Sequence, residues 1–314
     1  MSESAVTCLA EFNTLSDFSQ WGAKLVEGGD ARRLFHGRGQ CYAGYEWLTV
    51  DYFSPLLWLV LYREPPAQFW GDFCAALRRQ YGGAVAGAAV QHRYRRDAEL
   101  QWLWGEPQTV LQAREDGLKF GLQLGGRQNI GYFMDMQPAR QWLRTVAPGR
   151  RVLNLFSYSC AFSVAASAAG AEAVVNIDMS KAALRSGRVN HAMNPGAETE
   201  LHFLGHDIFR SWGKLKKLGP YEVVICDPPS RQAGSFDAAK DYGKLLRRMD
   251  SFCAPGAEVL LCLNSPWLGE AFLRDCAAEH WPAGQFCERL AGREDFPERD
   301  ADAALKVLRY RAPS

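Results

Sequence analysis

Apolar residues in the second half of the chain fall into short runs divided by stretches with helical spacing. Runs at Val152–Leu155, Ala173–Ile177, Leu201–Leu204, Glu222–Cys226 and Glu258–Leu263 predict strands. Between and after them, Ala161–Ala169, Lys181–Ala192, a stretch from Ile208, Ala238–Phe252 and Leu268–Glu279 predict helices. Pro138–Val146 predicts one more helix ahead of the first strand, and Phe286–Leu290 and Ala304–Arg309 predict two closing strands. Strands that are apolar throughout, rather than alternating, are buried on both faces, which is the pattern of a parallel sheet under two helix layers. The fold class is therefore α/β: a doubly wound, mostly parallel sheet with right-handed crossovers. An antiparallel closing pair is compatible with it.

The first part of the chain lacks this rhythm. Leu48–Val50 and Leu56–Tyr62 read as strands, and Pro65–Tyr81 as a helix whose prolines suit its first turn and which Gly82 and Gly83 end. Val90–Tyr94, Leu100–Trp104 and Thr109–Ala113 read as short antiparallel strands, and Lys119–Leu124 as a continuation of the same sheet. The expected organisation is an N-terminal α+β region, residues 1–118, that helps hold a substrate, followed by a ligand-binding α/β domain, residues 119–314.

Composition narrows the class. The 314 residues are 47% hydrophobic and 23% charged with a net charge of +1, so attraction for nucleic acid has to come from local patches. No apolar run approaches the ~20 residues of a membrane span. The start, MSESAVTCLAEFNTL, lacks a basic, apolar leader. The nine cysteines carry no CxxC spacing, which predicts reduced thiols, no metal site and a cytoplasmic protein.

The chemistry-bearing residues stand at predicted strand ends. After the first strand, Phe156-Ser157-Tyr158-Ser159-Cys160 turns into a helix without glycine, which argues against the pyrophosphate of a dinucleotide. Asp178 ends the second strand, where an acid reads ribose hydroxyls, although Asp178 or Ser180 is also placed to cap the next helix. Asp207 follows the third strand and suits either an adenine amine, with Ile208 or Phe209 packed on the ring, or a helix cap. Asp227-Pro228-Pro229 follows the fourth strand, where two prolines stop the ladder and stiffen the ligand-binding edge.

Together, GYFMDMQPAR (Gly131–Arg140), NLFSYSCAF (Asn154–Phe162), VNIDMSKAAL (Val175–Leu184), GHDIF (Gly205–Phe209) and VICDPPS (Val224–Ser230), with Phe120, resemble class I S-adenosylmethionine-dependent methyltransferases. More closely they resemble those that modify 23S ribosomal RNA at a cytosine C5 or guanine N7. The resemblance spans about Lys119 to Ser265, and upstream Arg32–Phe53 is similar to the extra N-terminal region of some relatives. It implies a Rossmann-like methyltransferase fold with S-adenosylmethionine as cofactor and RNA, 23S rRNA above all, as partner. Phe133 and Asp135 would line the cofactor pocket, and Asn154, Phe156 and Tyr158 would border its methionine part. Asp178 would hold the ribose and Asp207 the adenine amine, with Met179 and Ile208 also among the cofactor-binding residues. Asp227, Pro228 and Pro229 would form the catalytic edge between sulfonium and base.

Three departures stand out. The family's acid-x-Arg is Asp135-Met136-Gln137, leaving Arg140 as the candidate replacement. The aromatic often found after the DPP loop is Arg231, with Phe236 or Tyr242 as substitutes. The position of the C5 enzymes' cysteine is Ser265, which disfavours C5 chemistry, since that needs a thiolate at C6, and points to a base nitrogen. Cys226 and Cys262 read as strand core. Basic-aromatic stretches at Arg32–Arg38, His92–Arg96 and Arg309–Arg311 are candidate RNA contacts. A catalytically idle RNA-binding protein on the same scaffold and a nicotinamide oxidoreductase are the competing readings.

Overall fold

The computed structural model describes residues 29–314 except 109, 126–128, 197 and 233. The segment through Gly28, with Cys8, and the start of the expected strand at Thr109 therefore lie outside the described residues. The described residues form two compact units, one of residues 29–134 and 294–299, the other of 135–293 and 300–314. The expected boundary at 118/119 falls inside a strand, and the units part at Met134/Asp135.

In the first unit, β1 (Arg32–His36), β2 (Leu48–Phe53), β3 (Leu56–Leu61), β4 (Gly87–His92) and β5 (Leu100–Trp104) form a sheet in sequential order. Helix α1 (Ala67–Tyr81) connects β3 to β4, which run parallel, so this region contains one crossover unit that its short apolar runs concealed. Phe69, Phe73 and Leu77 bury one face of α1 against Val50, Leu57, Leu59 and Val90 of the sheet. Strands β6 (Leu111–Glu115) and β7 (Leu118–Leu122) pair only with each other. The expected continuation of the sheet by Lys119–Leu124 is thus a separate hairpin, its turn made by Asp116 and Gly117, both at positive φ. Residues 294–299 join this unit: the Asp295 carboxylate accepts a hydrogen bond from the Arg33 backbone, and His36 pairs with Glu298.

The second unit carries α2 (Gln137–Val146), β8 (Arg151–Leu155), α3 (Ala161–Ala168), β9 (Ala173–Ile177), α4 (Lys181–Met193), β10 (Glu200–Leu204), α5 (Trp212–Leu218) and β11 (Tyr221–Cys226). A short hairpin, β12 (Arg231–Gln232) and β13 (Phe236–Asp237), precedes α6 (Ala238–Leu246), β14 (Cys253–Leu263), α7 (Glu270–His280), β15 (Gln285–Arg289) and β16 (Lys306–Arg311). The seven-stranded sheet has the order β10-β9-β8-β11-β14-β16-β15. Strands β8 to β11 and β14 run parallel, and β16 is antiparallel to both β14 and β15.

Alternation explains why the central strands are apolar nearly throughout. Leu153, Leu155, Val175, Ile177, Val224, Val259 and Leu261 face one core with α5, α6 and α7. Val152, Val174, Val223, Ile225 and Leu260 face the other with Ala139 and Leu143 of α2 and Phe162 of α3. The order reverses between β8 and β11, so their C-terminal ends flank the crevice where open α/β sheets bind ligands.

Candidate active site

The turn after β8 takes three left-handed steps, at Phe156, Tyr158 and Cys160, with φ of 56°, 45° and 61°. Each costs an L-residue about 1–2 kcal/mol relative to its right-handed form. Glycine is the usual residue for such steps, and its absence does not relax the backbone here; it places side chains over it. Hydrogen bonds hold the turn: Cys160 N donates to Ser157 O at 2.7 Å, and Asn190 Nδ2 to Ser159 O at 2.8 Å. Cys160 is fully buried, and burial pushes its thiol up to about 12.

Asp178 is fixed against this turn. Its Oδ2 accepts Tyr158 N at 2.9 Å and its Oδ1 accepts Ser180 N at 2.7 Å. Ser180 is the cap of α4, accepting Ala183 N at 3.1 Å, so the two roles open to Asp178 are divided: Ser180 caps, and Asp178 stays at the strand end with an oriented carboxylate. Met179 beside it is 49% exposed. Asp207 caps a short 3₁₀ turn, Oδ1 accepting Phe209 N at 2.8 Å, and lies 3.6 Å from Arg210. Ile208 is buried in the sheet core with Val175 and Ile177, which accounts for its side chain without a ring to pack on.

Asn154 is buried and turned into the fold. Its register puts it opposite Asn176, and its buried Nδ2 donates to Asn176 Oδ1 at 3.0 Å. Asn176 in turn donates to Ser163 Oγ, which meets His191 Nε2 at 2.8 Å. This polar ladder joins β8, β9, α3 and α4 inside the fold, and burial lowers His191 to about 4. Phe156 packs edge-on against Phe236, ring centroids 5.1 Å apart. Phe133, the residue before Met134 at the end of the first unit, is 40% exposed.

Asp227 ends β11 at the switch point. Burial raises its carboxyl first, the Asp135 carboxylate raises it further, and the Arg140 guanidinium opposes both, leaving it at about 7. Arg140 is 2% exposed on α2, its guanidinium 5.9 Å from the centre of the Phe162 ring. Arg140, the candidate replacement for the acid-x-Arg arginine, lies about one helical turn after that position and lowers the Asp227 carboxyl. Neither proposed aromatic substitute is available, because Phe236 and Tyr242 are both buried.

Among the described residues the two cysteines nearest this edge are sealed in the core. Cys226 and Cys262 are fully buried in opposite cores, with thiols raised by burial, and Ser265 is a buried residue whose Oγ accepts Trp267 N at 3.3 Å. Lys306, wholly buried and unforeseen in the sequence, donates to Ser265 O and Asp302 O at 2.6 and 2.7 Å. Among the described residues no cluster of metal-ligating side chains occurs, and no helix is long and apolar enough to cross a membrane.

The three basic-aromatic stretches separate. Arg309 and Arg311 are paired with Glu258, and Tyr310 is core. Arg33 is paired with Asp51. Arg38 and Arg93, by contrast, both lie over the Tyr62 ring, at 4.5 and 5.4 Å from its centre, without an acidic partner among the described residues.

An oriented acid at the end of β9, a strained turn after β8 and a proline-stiffened acid after β11 fit a nucleoside with an amino-acid tail. The Ser157 hydroxyl is buried in that turn with only the Cys160 thiol beside it, leaving it free to take a further partner. The chain belongs to the S-adenosylmethionine-dependent methyltransferase family, whose sequence model matches residues 32–311. Among its relatives, a Deinococcus radiodurans protein named ribosomal RNA large subunit methyltransferase is 31% identical over 72% of this chain and 58% of its own length. Ribosomal RNA large subunit methyltransferase I of Erwinia tasmaniensis is 27% identical over 91% of this chain and 74% of its own. The chain thus spans less than two thirds of the first relative. A solved structure of a Streptococcus mutans protein assigned as a SAM-dependent methyltransferase superposes with a TM-score of 0.81 at 23% identity, covering 96% of this chain and 81% of that one, and shares the fold.

Proposed function

We propose that this protein transfers the methyl group of S-adenosylmethionine to a base nitrogen of RNA, with large-subunit ribosomal RNA as the substrate. The observation that carries the reading is the place of Asp227, directly after β11 at the switch point and stiffened by two prolines, its carboxyl raised to about 7 by burial and by Asp135 against the opposing Arg140, on an edge without an accessible thiol among the described residues. When bound, S-adenosylmethionine supplies an electrophilic methyl on a sulfonium sulfur. Asp178 holds the ribose hydroxyls with a carboxylate already aimed by two backbone N–H groups. The turn from Phe156 to Cys160 receives the amino-acid tail, and Met179 and Asp207 border the adenine. Pro228 and Pro229 keep Asp227 at the edge, where its carboxylate would accept a hydrogen bond from the target amine and take the proton that leaves as the N–C bond forms and the methyl–sulfur bond breaks, its electron pair remaining on the sulfur as the thioether. A carboxyl titrating near 7 releases that proton readily at neutral pH.

RNA as the partner is supported by the names of the relatives and by the uncompensated Arg38–Tyr62–Arg93 group in the first unit. Cytosine C5 is disfavoured because Ser265 is buried and both nearby strand cysteines belong to the core. The test is transfer of tritiated methyl to large-subunit RNA from a strain lacking this protein, followed by nucleoside mapping. Label on a ring nitrogen or exocyclic amine is expected. Label on C5, or no incorporation, overturns the proposal.

A further inference from the structure

Trp267 is 86% exposed, the most exposed of the large hydrophobic side chains among the described residues. Surface exposure of an indole is costly, since it forfeits one of the largest apolar burials a side chain offers. Its position is specific. It follows β14 by four residues, in the segment Asn264-Ser265-Pro266-Trp267, and β14 is the parallel neighbour of β11, with Leu261 in register with Cys226. The segment therefore leaves the same sheet edge as Asp227-Pro228-Pro229. The two loops are joined directly: the Ser230 hydroxyl donates to Asn264 O.

The backbone beneath the indole is secured from the inside. Ser265 is buried, its hydroxyl accepts the Trp267 N–H, and its carbonyl accepts the fully buried Lys306 ammonium. Beyond Trp267, Leu268 packs against the sheet core. A buried lysine spent on two carbonyls, beside a rigid proline and under an open aromatic ring, is a mount for that ring rather than a fraying loop. The other aromatic residues following the DPP loop, Phe236 and Tyr242, are sealed in the core, so they offer no flat surface to a ligand.

We propose that Trp267 is the stacking surface for the target base. This rests on the RNA-base reading of the site above. A base presented to a methyl donor has to leave its own stack, and an aromatic face that replaces the lost neighbour is the usual compensation. Trp267 supplies that face, while the Lys306–Ser265 contacts set its height relative to the Asp227 edge.

The test compares wild type, Trp267→Ala and Trp267→Phe on deproteinised large-subunit RNA from a strain lacking this protein, and on large-subunit particles from the same strain. Trp267→Ala is expected to lose roughly five- to hundredfold in kcat/KM on naked RNA, the range that loss of one stacked base implies. Trp267→Phe should recover most of it. Calorimetric affinity for S-adenosylmethionine and the melting temperature should match wild type in both variants, and ultraviolet cross-linking should join RNA to the peptide bearing Trp267. Undiminished transfer by Trp267→Ala overturns the proposal, as does a parallel loss of cofactor affinity. A loss confined to particles also overturns it, assigning the indole to a protein contact. Absence of transfer by wild type would sink the RNA reading itself, and this proposal with it.

Discussion

The Cys160 sulfur fills the space in which a side chain at Gly187 would begin: a Cβ on Gly187 would lie 2.4 Å from Sγ and 2.9 Å from the Cys160 Cβ. The strained turn after β8 and the middle of α4 are therefore matched to each other. Gly187→Ala should destabilise the fold by about 1–3 kcal/mol through overpacking, although alanine in a helix interior ordinarily gains ~1 kcal/mol. Cys160→Gly removes the sulfur and the left-handed strain together, so the double variant should regain most of the loss. Urea unfolding of the four proteins gives the coupling; additive effects would mean that the two positions are independent.

Asp178 and Ser180 should separate binding from folding. Asp178→Ala should weaken S-adenosylmethionine by roughly ten- to a hundredfold, the worth of hydrogen bonds to a charged acceptor, as measured by calorimetry. Ser180→Ala should instead cost ~1 kcal/mol of stability as a lost helix cap, with a much smaller change in affinity. The reverse pattern would show that Asp178 is the structural residue of the pair.

The Asp227 carboxyl has its ordinary value at 3.8 and stands at about 7 in the folded chain. Between those pH values the unfolded chain has released a proton that the folded chain keeps, so stability falls as pH rises through this window and the penalty is complete above it. Asp227→Asn should abolish that slope, up to ~4 kcal/mol over the window. The rate of methyl transfer should follow the ionised form and rise through about pH 7. Because Asp135 raises the carboxyl and Arg140 lowers it, Asp135→Asn should move the rate profile to lower pH and Arg140→Met to higher pH. Shifts of the same sign in both variants would remove Asp227 from the proton path.

Arg38 and Arg93 differ from Arg309 and Arg311 in having no acidic partner among the described residues. Arg38→Ala and Arg93→Ala should each weaken RNA binding and lower the slope of log affinity against log salt by about 1. Arg311→Ala, whose charge is committed to Glu258, should leave that slope alone. Filter binding across a salt series distinguishes them.

Cys226→Ala and Cys262→Ala should retain methyl transfer, because neither thiol reaches the edge. Each should cost stability as a small buried group lost from a packed core. Loss of transfer at full occupancy of folded protein, or a covalent RNA adduct abolished by either change, would restore a thiol mechanism.

Much of the second unit was legible because its information is local. A fully apolar run means burial on both faces wherever the strand pairs, and an acid directly after such a run stands at the sheet's carboxyl edge whatever its neighbours. On those grounds the residues alone put Asp178, Asp207 and Asp227 at strand ends and outline the βαβ unit containing the turn. The first unit was less legible: β1 read as a basic stretch, and the parallel pairing of β3 with β4 has no local signature distinct from antiparallel strands of the same length.

What only the tertiary structure decided is which residue answers which across long separations. Sequence states that Asn154 ends an apolar run; its register with Asn176 turns the amide inward. Sequence shows three basic patches; long-range ion pairs cancel Arg33, Arg309 and Arg311 and leave Arg38 and Arg93 standing. It offers Phe236 and Tyr242 as stacking rings, yet packing buries both and leaves Trp267 in solvent, held from below by Lys306 through Ser265. Periodicity reports whether a face is covered, but the identity of the cover depends on strand order and register. Those are set by the whole fold, and they chose the chemistry at this edge.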